Sequence, residues 1–241
     1  MGVLPRTARR AGRPGDAHRR RPVRRALAEL TGTAFLVATV IGSGIAASRP
    51  STDPGLRLLE NSIATGAVLV ALILTLQPVS ASFNPVVTVV EAALGLLSWS
   101  AAALLALAQV AGAILGAVVA NLMFDLDAVS WSGHDRSAGH LWLAEVVATL
   151  GLVLVVFGGL RTRRTETIAY GVGGYIAAAY WFTSSTSFAN PAVTAGRMFS
   201  DTFAGISPSS VPMFVLVQVL GGLLGLVLVR LLFPTLEGEP A

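Results

Sequence analysis

Two short segments decide the fold of this chain, Phe83-Asn84-Pro85-Val86-Val87-Thr88 and Ala189-Asn190-Pro191-Ala192-Val193-Thr194. Asn is a favoured N-cap and Pro a favoured first residue of a helix, so each Asn-Pro pair predicts a helix start. A Ser-rich, irregular stretch precedes each pair, residues 78–83 and 183–189. The apolar stretch after each pair is too short to span a bilayer, which takes about 20 residues. Each segment therefore predicts a short helix reached through irregular backbone.

The composition of the chain indicates that its solvent is a lipid bilayer. Hydrophobic residues make up 54% of the 241 residues, charged residues 12%, and the mean hydropathy is +0.70, more apolar than a soluble domain of this size. Six apolar stretches have the length of a membrane span, about residues 26–47, 61–77, 99–122, 141–159, 167–183 and 211–233. Irregular backbone at membrane depth is tolerated only inside protein or beside a water-filled cavity. The two Asn-Pro segments are therefore predicted to be re-entrant half-helices, about 84–94 and 190–200.

The two halves of the sequence match each other in three places. The matching pairs are Glu29 with Glu145, Asn84 with Asn190, and Gln109 with Gln218, at offsets of 116, 106 and 109 positions. Each half holds three spans, an odd number, so the second half must lie in the membrane inverted relative to the first. The predicted fold class is an all-α membrane protein with six transmembrane helices and two half-helices in an inverted three-plus-three repeat.

The distribution of charge predicts on which side of the membrane the two termini lie. All 17 basic residues are Arg, and nine of them lie in residues 6–25. The positive-inside rule then predicts that residues 1–25 form a disordered cytosolic tail and that both termini are cytoplasmic. A contact of this tail with anionic lipid or nucleic acid is the lesser alternative. The predicted division of the chain is a first repeat at 26–124, an extracytoplasmic loop at 125–140, a second repeat at 141–233 and a C-terminal tail at 234–241.

Several kinds of chemistry are disfavoured by the residues that are missing. The chain has no Cys, and its three His, at positions 18, 134 and 140, fall in predicted tails or loops, so we expect neither a metal site nor a cofactor. No His lies in a span to activate the Ser and Thr residues at 183–187, which argues against an intramembrane enzyme. A secondary transporter with inverted repeats would need coupling-ion ligands, and the predicted spans hold no Asp, Lys or His. A third alternative is a closed pore that serves as a membrane-junction component.

These features resemble the major intrinsic protein family, the aquaporins and aquaglyceroporins. The resemblance rests on the two Asn-Pro boxes, on Glu29 and Glu145, and on the inverted plan, and it covers about residues 26–233. It implies a passive channel in a bacterial inner membrane and assembly as a homotetramer. The expected partners are membrane lipid, water and small neutral solutes, with no nucleic acid.

The predicted pore centre consists of the two boxes, Asn84, Pro85, Val86, Asn190, Pro191 and Ala192. Two half-helices that meet end to end would bring both N-termini to the middle of the membrane, each carrying roughly half a positive charge. Cations and protons are disfavoured there, while neutral solutes are not. The oxygen of each capping Asn can accept from its own helix while its NH₂ group donates into the pore. Val86 stands where the family usually has Ala, and we expect this change to affect packing only.

Glu29 and Glu145 lie near the starts of apolar helices, where a carboxyl group needs partners. The resemblance implies that they accept hydrogen bonds from the irregular backbone leading into the half-helices. The alternative interpretation is a first-turn glutamate favoured by the helix dipole. Gln109 and Gln218, each followed by glycines, predict close helix packing and a structural role.

The predicted selectivity filter departs from the family pattern. Most members carry Arg directly after the second Asn-Pro-Ala, and here that position is Val193. Family spacing places the other filter positions at Ser187, Ala178 and Thr65, with Ala64 as the alternative to Thr65. Such small, uncharged side chains predict a mouth wider than that of a strict water channel, which remains the alternative. We expect the solutes to be glycerol-like polyols or neutral metalloid hydroxides such as arsenous acid, with water.

Arg197 lies four residues beyond Val193, on the same face of the predicted half-helix. One hypothesis is that its guanidinium reaches back to the filter and partly replaces the missing Arg. The favoured interpretation is that it extends to the outer surface or pairs with Asp201.

Overall fold

The computed structural model describes residues 14–233, with side chains from residue 22 onward, and every regular element in this part of the chain is helical. The α-helices are α1 (Pro14–Ser48), α2 (Pro54–Leu76), α3 (Pro85–Ala93), α4 (Trp99–Met123), α5 (Gly139–Arg161), α6 (Ile168–Phe182), α7 (Pro191–Arg197) and α8 (Val211–Leu232). A 3₁₀ turn at Thr165–Thr167 leads into α6.

Five helices are long and apolar enough to cross a membrane: α1 from Pro22 onward, α2, α4, α5 and α8. The predicted sixth span corresponds to α6, which has only 15 residues. Large apolar side chains point outward from the long helices, for example Leu107 at 70% exposure and Leu231 at 74%. An outer surface of this kind suits lipid and not water. The prediction of an all-helical, multi-pass membrane protein is confirmed.

Two helices begin earlier than the sequence predicted. Helix α2 begins at Pro54 and not at residue 61, because Asp53 Oδ1 accepts from Leu56 N (2.9 Å) and Pro54 is its first helical residue. Helix α1 begins at Pro14, so residues 14–25 are helical and do not form the predicted disordered tail. This part is rich in Arg, a good helix former, and it continues directly into the first span. The remainder of that tail and the predicted tail at 234–241 lie outside the described residues.

Glycines let neighbouring helices approach closely. A Cβ at Gly112 in α4 would lie 2.2 Å from Leu30 O in α1, and a Cβ at Gly221 in α8 would lie 2.5 Å from Val146 O in α5. Helices α2 and α6 cross at another glycine, since a Cβ at Gly66 would lie 2.8 Å from the backbone oxygen of α6. Small residues at helix crossings are how membrane helices gain packing contacts.

The two short helices α3 and α7 lie inside the bundle. Both pack against α4 and α8, and they also contact each other. Their middle residues are fully buried, Thr88 and Thr194 at 0% exposure. This arrangement brings the starts of α3 and α7, the two Asn-Pro boxes, to one place in the core.

Candidate functional site

The two box asparagines hold the two boxes together. Asn84 Oδ1 accepts from Val86 N (3.0 Å), and Asn190 Oδ1 accepts from Ala192 N (3.0 Å), so each side chain caps its own helix. The Nδ2 group of Asn84 donates to the carbonyl of Ala189 (2.7 Å), and that of Asn190 donates to the carbonyl of Phe83 (2.7 Å). Each asparagine is thus fixed by its own helix and by the residue before the opposite box.

The residue before each box has the same unusual backbone. Phe83 and Ala189 both have φ of +48°, in the left-handed region that costs a non-glycine residue about 1–2 kcal/mol. This conformation ends the irregular stretch and leaves the carbonyl of each residue bonded to the opposite asparagine. The hydrogen bonds between the boxes offset part of the strain.

A buried carboxylate supports the backbone that leads into each box. Glu29, at 0% exposure, accepts hydrogen bonds of 2.5 to 2.9 Å from Ser82 N, Phe83 N, Ser80 Oγ and Gln109 Nε2. The Nε2 group of Gln109 also lies 2.9 Å from Thr88 Oγ1 of α3.

The second half repeats this arrangement with Glu145, also at 0% exposure. Glu145 accepts from Phe188 N (2.9 Å), Ala189 N (2.8 Å) and Gln218 Nε2 (2.6 Å). Gln218 Nε2 lies 2.9 Å from Thr194 Oγ1 of α7. In both halves the carboxylate binds the irregular backbone, as the family resemblance implied, and the helix dipole alone does not account for these partners.

A partly open cavity of about 260 Å³ is lined by both box asparagines. At one end its wall includes Arg25, Gln77 and Glu91. At the other end its wall includes Thr65, Tyr180, Ser187, Phe188, Val193 and Arg197. We call this cavity the conduit, the first end the inner mouth and the second end the outer mouth.

Three of the four predicted filter residues lie at the outer mouth. Thr65, Ser187 and Val193 are buried and line the conduit. Ala178 does not, because its side chain is exposed on the outer face of α6. Tyr180 takes its place, and its hydroxyl lies 3.1 Å from Thr65 Oγ1.

The error at Ala178 has a geometric cause. Residues two apart on a helix point about 200° away from each other, so counting back along the chain from Asn190 by the family spacing selected the wrong face of α6. Val172, Ile176 and Tyr180 all line the conduit at four-residue intervals. This periodicity is the signal in the sequence that would have selected Tyr180.

Arg197 is buried at 2% exposure and lines the outer mouth. Its guanidinium carbon lies 3.4 Å from the ring centroid of Phe188, and its Nε donates to the carbonyl of Ala204. Asp201 instead accepts from Gly133 N (3.0 Å). The interpretation of Arg197 as a surface residue paired with Asp201 is therefore wrong, because an aromatic face and a carbonyl solvate the guanidinium inside the protein.

A second arginine near this mouth was missed by the sequence analysis. Arg136 lies in the irregular segment between α4 and α5 and donates to Gly205 O (3.1 Å) and Ser185 O (3.3 Å). Its guanidinium carbon lies 4.9 Å from the ring centroid of Phe188. Burial lowers the pKa of Arg136 from its ordinary value. No local pattern marks this residue, since the segment has no helical period.

Within the described part of the chain, no three His, Asp or Glu side chains gather as metal ligands would. The residues that converge are those that cap helices, support backbone and line the conduit. Apolar helices around a conduit with a mainly apolar wall and a few polar groups, among them both box asparagines, define a multi-pass membrane channel.

Comparisons with known proteins identify the kind of channel. The family model described as Major intrinsic protein matches residues 17–168. Aquaglyceroporin AqpS of Rhizobium meliloti (strain 1021) is 49% identical over 208 residues, which cover 86% of this chain and 89% of the relative. The chain belongs to the major intrinsic protein family, as its resemblance indicated, and members of this family are channels and not enzymes.

Two further relatives are more distant. Aquaporin-5 of Ovis aries is 31% identical over 142 residues, 56% of this chain and 52% of the relative. The X-ray structure of the aquaglyceroporin from Plasmodium falciparum matches with a TM-score of 0.68 and 17% identity, covering 86% of this chain and 93% of that one. The latter likeness supports the fold alone.

Proposed function

We propose that this chain is a passive channel for small uncharged solutes, glycerol-like polyols or neutral metalloid hydroxides such as arsenous acid, together with water. The observation that carries the proposal is the conduit, which is lined by both capping asparagines and by Val193, where the family usually has Arg. The 49% identity to a protein named aquaglyceroporin supports a solute larger than water. A strict water channel is the alternative, and a secondary transporter is the less favoured one.

The proposed architecture is six membrane spans and two half-helices in an inverted repeat, 26–124 and 141–233, joined by an extracytoplasmic loop at 125–140. The helix pairs support it, because α1 packs on α4 as α5 packs on α8, and α3 contacts α8 as α7 contacts α4. On this plan both termini are cytoplasmic. We further propose a bacterial inner membrane location and a homotetramer, on the family resemblance.

The proposed barrier to ions lies at the two boxes. The N-termini of α3 and α7 both face the conduit, and each presents a partial positive charge in a low-dielectric surrounding. Each Nδ2 group has two hydrogens, and one of them donates to the carbonyl before the opposite box. The second hydrogen is left to bind the oxygen of a water or solute. This arrangement disfavours cations and protons while it favours neutral oxygen-bearing solutes.

The proposed selectivity lies at the outer mouth, which has both apolar and polar walls. Tyr180 offers an aromatic ring to the carbon chain of a polyol. Thr65 and Ser187 offer hydroxyls, and Ser187 Oγ is buried without a hydrogen-bond partner in the described part of the chain. Arg197 supplies a cation one helical turn beyond Val193, so the mouth keeps a positive charge.

Stopped-flow light scattering on proteoliposomes tests the proposal with water, glycerol and arsenous acid as solutes. We expect all three to equilibrate faster than in protein-free liposomes, without saturation and without dependence on an ion gradient. Val193→Arg restores the usual filter residue, and we expect it to lower glycerol and arsenous acid flux more than water flux. Water flux alone in the wild-type protein would contradict the proposal, and saturable, gradient-driven uptake would indicate a transporter.

A further inference from the structure

Glu91 occupies in the first half-helix the position that Arg197 occupies in the second. Glu91 lies seven residues after Asn84, and Arg197 lies seven residues after Asn190. Both side chains line the conduit, Glu91 at the inner mouth and Arg197 at the outer mouth. The two ends of the conduit therefore carry an acid and a base on equivalent positions of the repeat.

The surroundings of the two side chains differ. The guanidinium of Arg197 is covered by Phe188 and by the carbonyl of Ala204. Glu91 receives one hydrogen bond, from Ser82 Oγ to its Oε1 atom (3.1 Å). Its Oε2 atom is buried and has no hydrogen-bond partner in the described part of the chain.

An unpartnered carboxylate oxygen is costly beside a membrane core, and polar groups in such places are usually functional. Arg25 lines the same mouth, yet no ion pair joins it to Glu91 among the described residues. The side chain of Glu91 lines the conduit, and Oε2 is its oxygen that accepts no hydrogen bond from the described residues. Glu91 thus retains acceptor capacity in the path of the solute.

We propose that the inner mouth is a second binding site for uncharged, hydroxylated solutes, in which the Glu91 carboxylate accepts a hydrogen bond from a solute hydroxyl. Gln77 and Arg25, on the same wall, are the nearby groups that can donate to the other solute oxygens. This inference rests on the proposed function, because it adds a site to the same passage. A solute then meets hydroxyls and Arg197 at the outer mouth, asparagine donors at the centre and a carboxylate acceptor at the inner mouth.

A cation is the competing occupant of a carboxylate site. The observations favour a neutral solute because two helix N-termini face the conduit at the boxes, next along the path, and repel positive charge. A cation held by Glu91 would block the conduit and would not pass it. Solutes such as glycerol and arsenous acid are rich in O–H donors and match the unpartnered oxygen of Glu91.

Glu91→Gln tests the site with little change of shape, because the amide keeps an oxygen for Ser82 Oγ. Glycerol, arsenous acid and water permeabilities are measured on the same proteoliposomes, so that water flux reports correct folding. We expect the ratio of glycerol to water permeability, and of arsenous acid to water permeability, to fall roughly fivefold, the usual difference between a charged and a neutral acceptor. Glu91→Asp, which keeps the charge, should retain more of both ratios than Glu91→Gln does.

Glu60→Gln is the matched control, because Glu60 is exposed on α2 and is not part of the conduit wall. Unchanged ratios in Glu91→Gln, or an equal fall of solute and water permeability, would overturn the inference while leaving the proposed function intact. If sodium in the vesicle lumen blocked flux through the wild-type protein but not through Glu91→Gln, the site would bind a cation, and the inference would be overturned as well. Absence of solute flux from the wild-type protein would instead show that the proposed function has failed.

Discussion

Half-helices α3 and α7 begin in the same way and end differently. Each begins at an asparagine that caps its own helix and donates to the residue before the opposite box. At the other end α3 carries Glu91 and α7 carries Arg197, each lining one mouth of the conduit. The starts meet at one point and must fit each other, whereas the ends face different mouths. The comparison therefore separates a duplicated centre, to which we assign the proposed ion barrier, from two different mouths, to which we assign the proposed selectivity.

The same comparison explains Val86. It stands where the second box has Ala192, and the α8 residue opposite it is Gly222, whose equivalent in α4 is Ala113. A Cβ at Gly222 would lie 2.2 Å from Val86 Cγ1. One junction thus pairs a large residue with glycine, while the equivalent positions at the other hold two alanines. The extra methyl groups of Val86 occupy the space that Gly222 leaves without a side chain, so the change from Ala to Val is accommodated by packing.

The largest effects are expected from the two carboxylates that support the boxes. Glu29→Leu and Glu145→Leu each leave buried backbone N–H groups and a glutamine without their acceptor, at about 1–3 kcal/mol per group. We expect each variant to lose at least about 3 kcal/mol of stability, seen as a lower unfolding temperature in detergent and as loss of all flux. The isosteric Gln variants should lose less. If one of the two Leu variants kept wild-type stability while the other lost it, the two carboxylates would not be equivalent supports.

The next largest effect is expected at Gly222. Gly222→Ala forces its methyl group against Val86, and overpacking of this kind costs about 1–3 kcal/mol. The double variant Gly222→Ala with Val86→Ala reproduces the alanine pair of the other half and should recover most of that loss. Thermal unfolding of the two single variants and the double variant forms a double-mutant cycle. Additive losses would show that the two residues do not share the space.

The parts of the site that are set by local sequence could be predicted, whereas those set by contacts between distant segments of the chain could not. The roles of Asn84 and Asn190 follow from local N-cap chemistry, and the repeat paired Glu29 with Glu145 before any contact was known. The prediction for Ala178 failed because it relied on a residue count across the irregular stretch at 183–189, and a shift of two residues turns a helical side chain to the opposite face. The surroundings of Arg197 depend on Phe188 and Ala204, which no helical period connects to it.

A smaller effect is expected at Arg197, where the two half-helices differ most. Arg197→Ala removes a buried cation from the outer mouth and leaves the asparagine barrier in place. We expect a several-fold rise in proton leak, measured with a pH-sensitive dye in the vesicle lumen, and a shift in the ratio of glycerol to water permeability. Both follow because removing the charge lowers the positive electrostatic potential at the outer mouth. Arg197→Lys keeps the charge and serves as the control. Unchanged proton exclusion and solute ratio in Arg197→Ala would show that this arginine does not replace the missing filter Arg.

The smallest effect is expected at Arg136, which lies near the outer mouth but is not part of the conduit wall. Its contacts with Ser185 O and Gly205 O hold the segment before α5 against the backbone that precedes the second box. Arg136→Gln removes one guanidinium and should change glycerol permeability by about twofold, because this charge lies outside the conduit wall and electrostatic interactions weaken with distance. Arg164→Gln, at an exposed position after α5, is the matched control. An effect at Arg136 as large as that at Arg197 would mean that the outer mouth depends on two cations, one from α7 and one from the segment before α5.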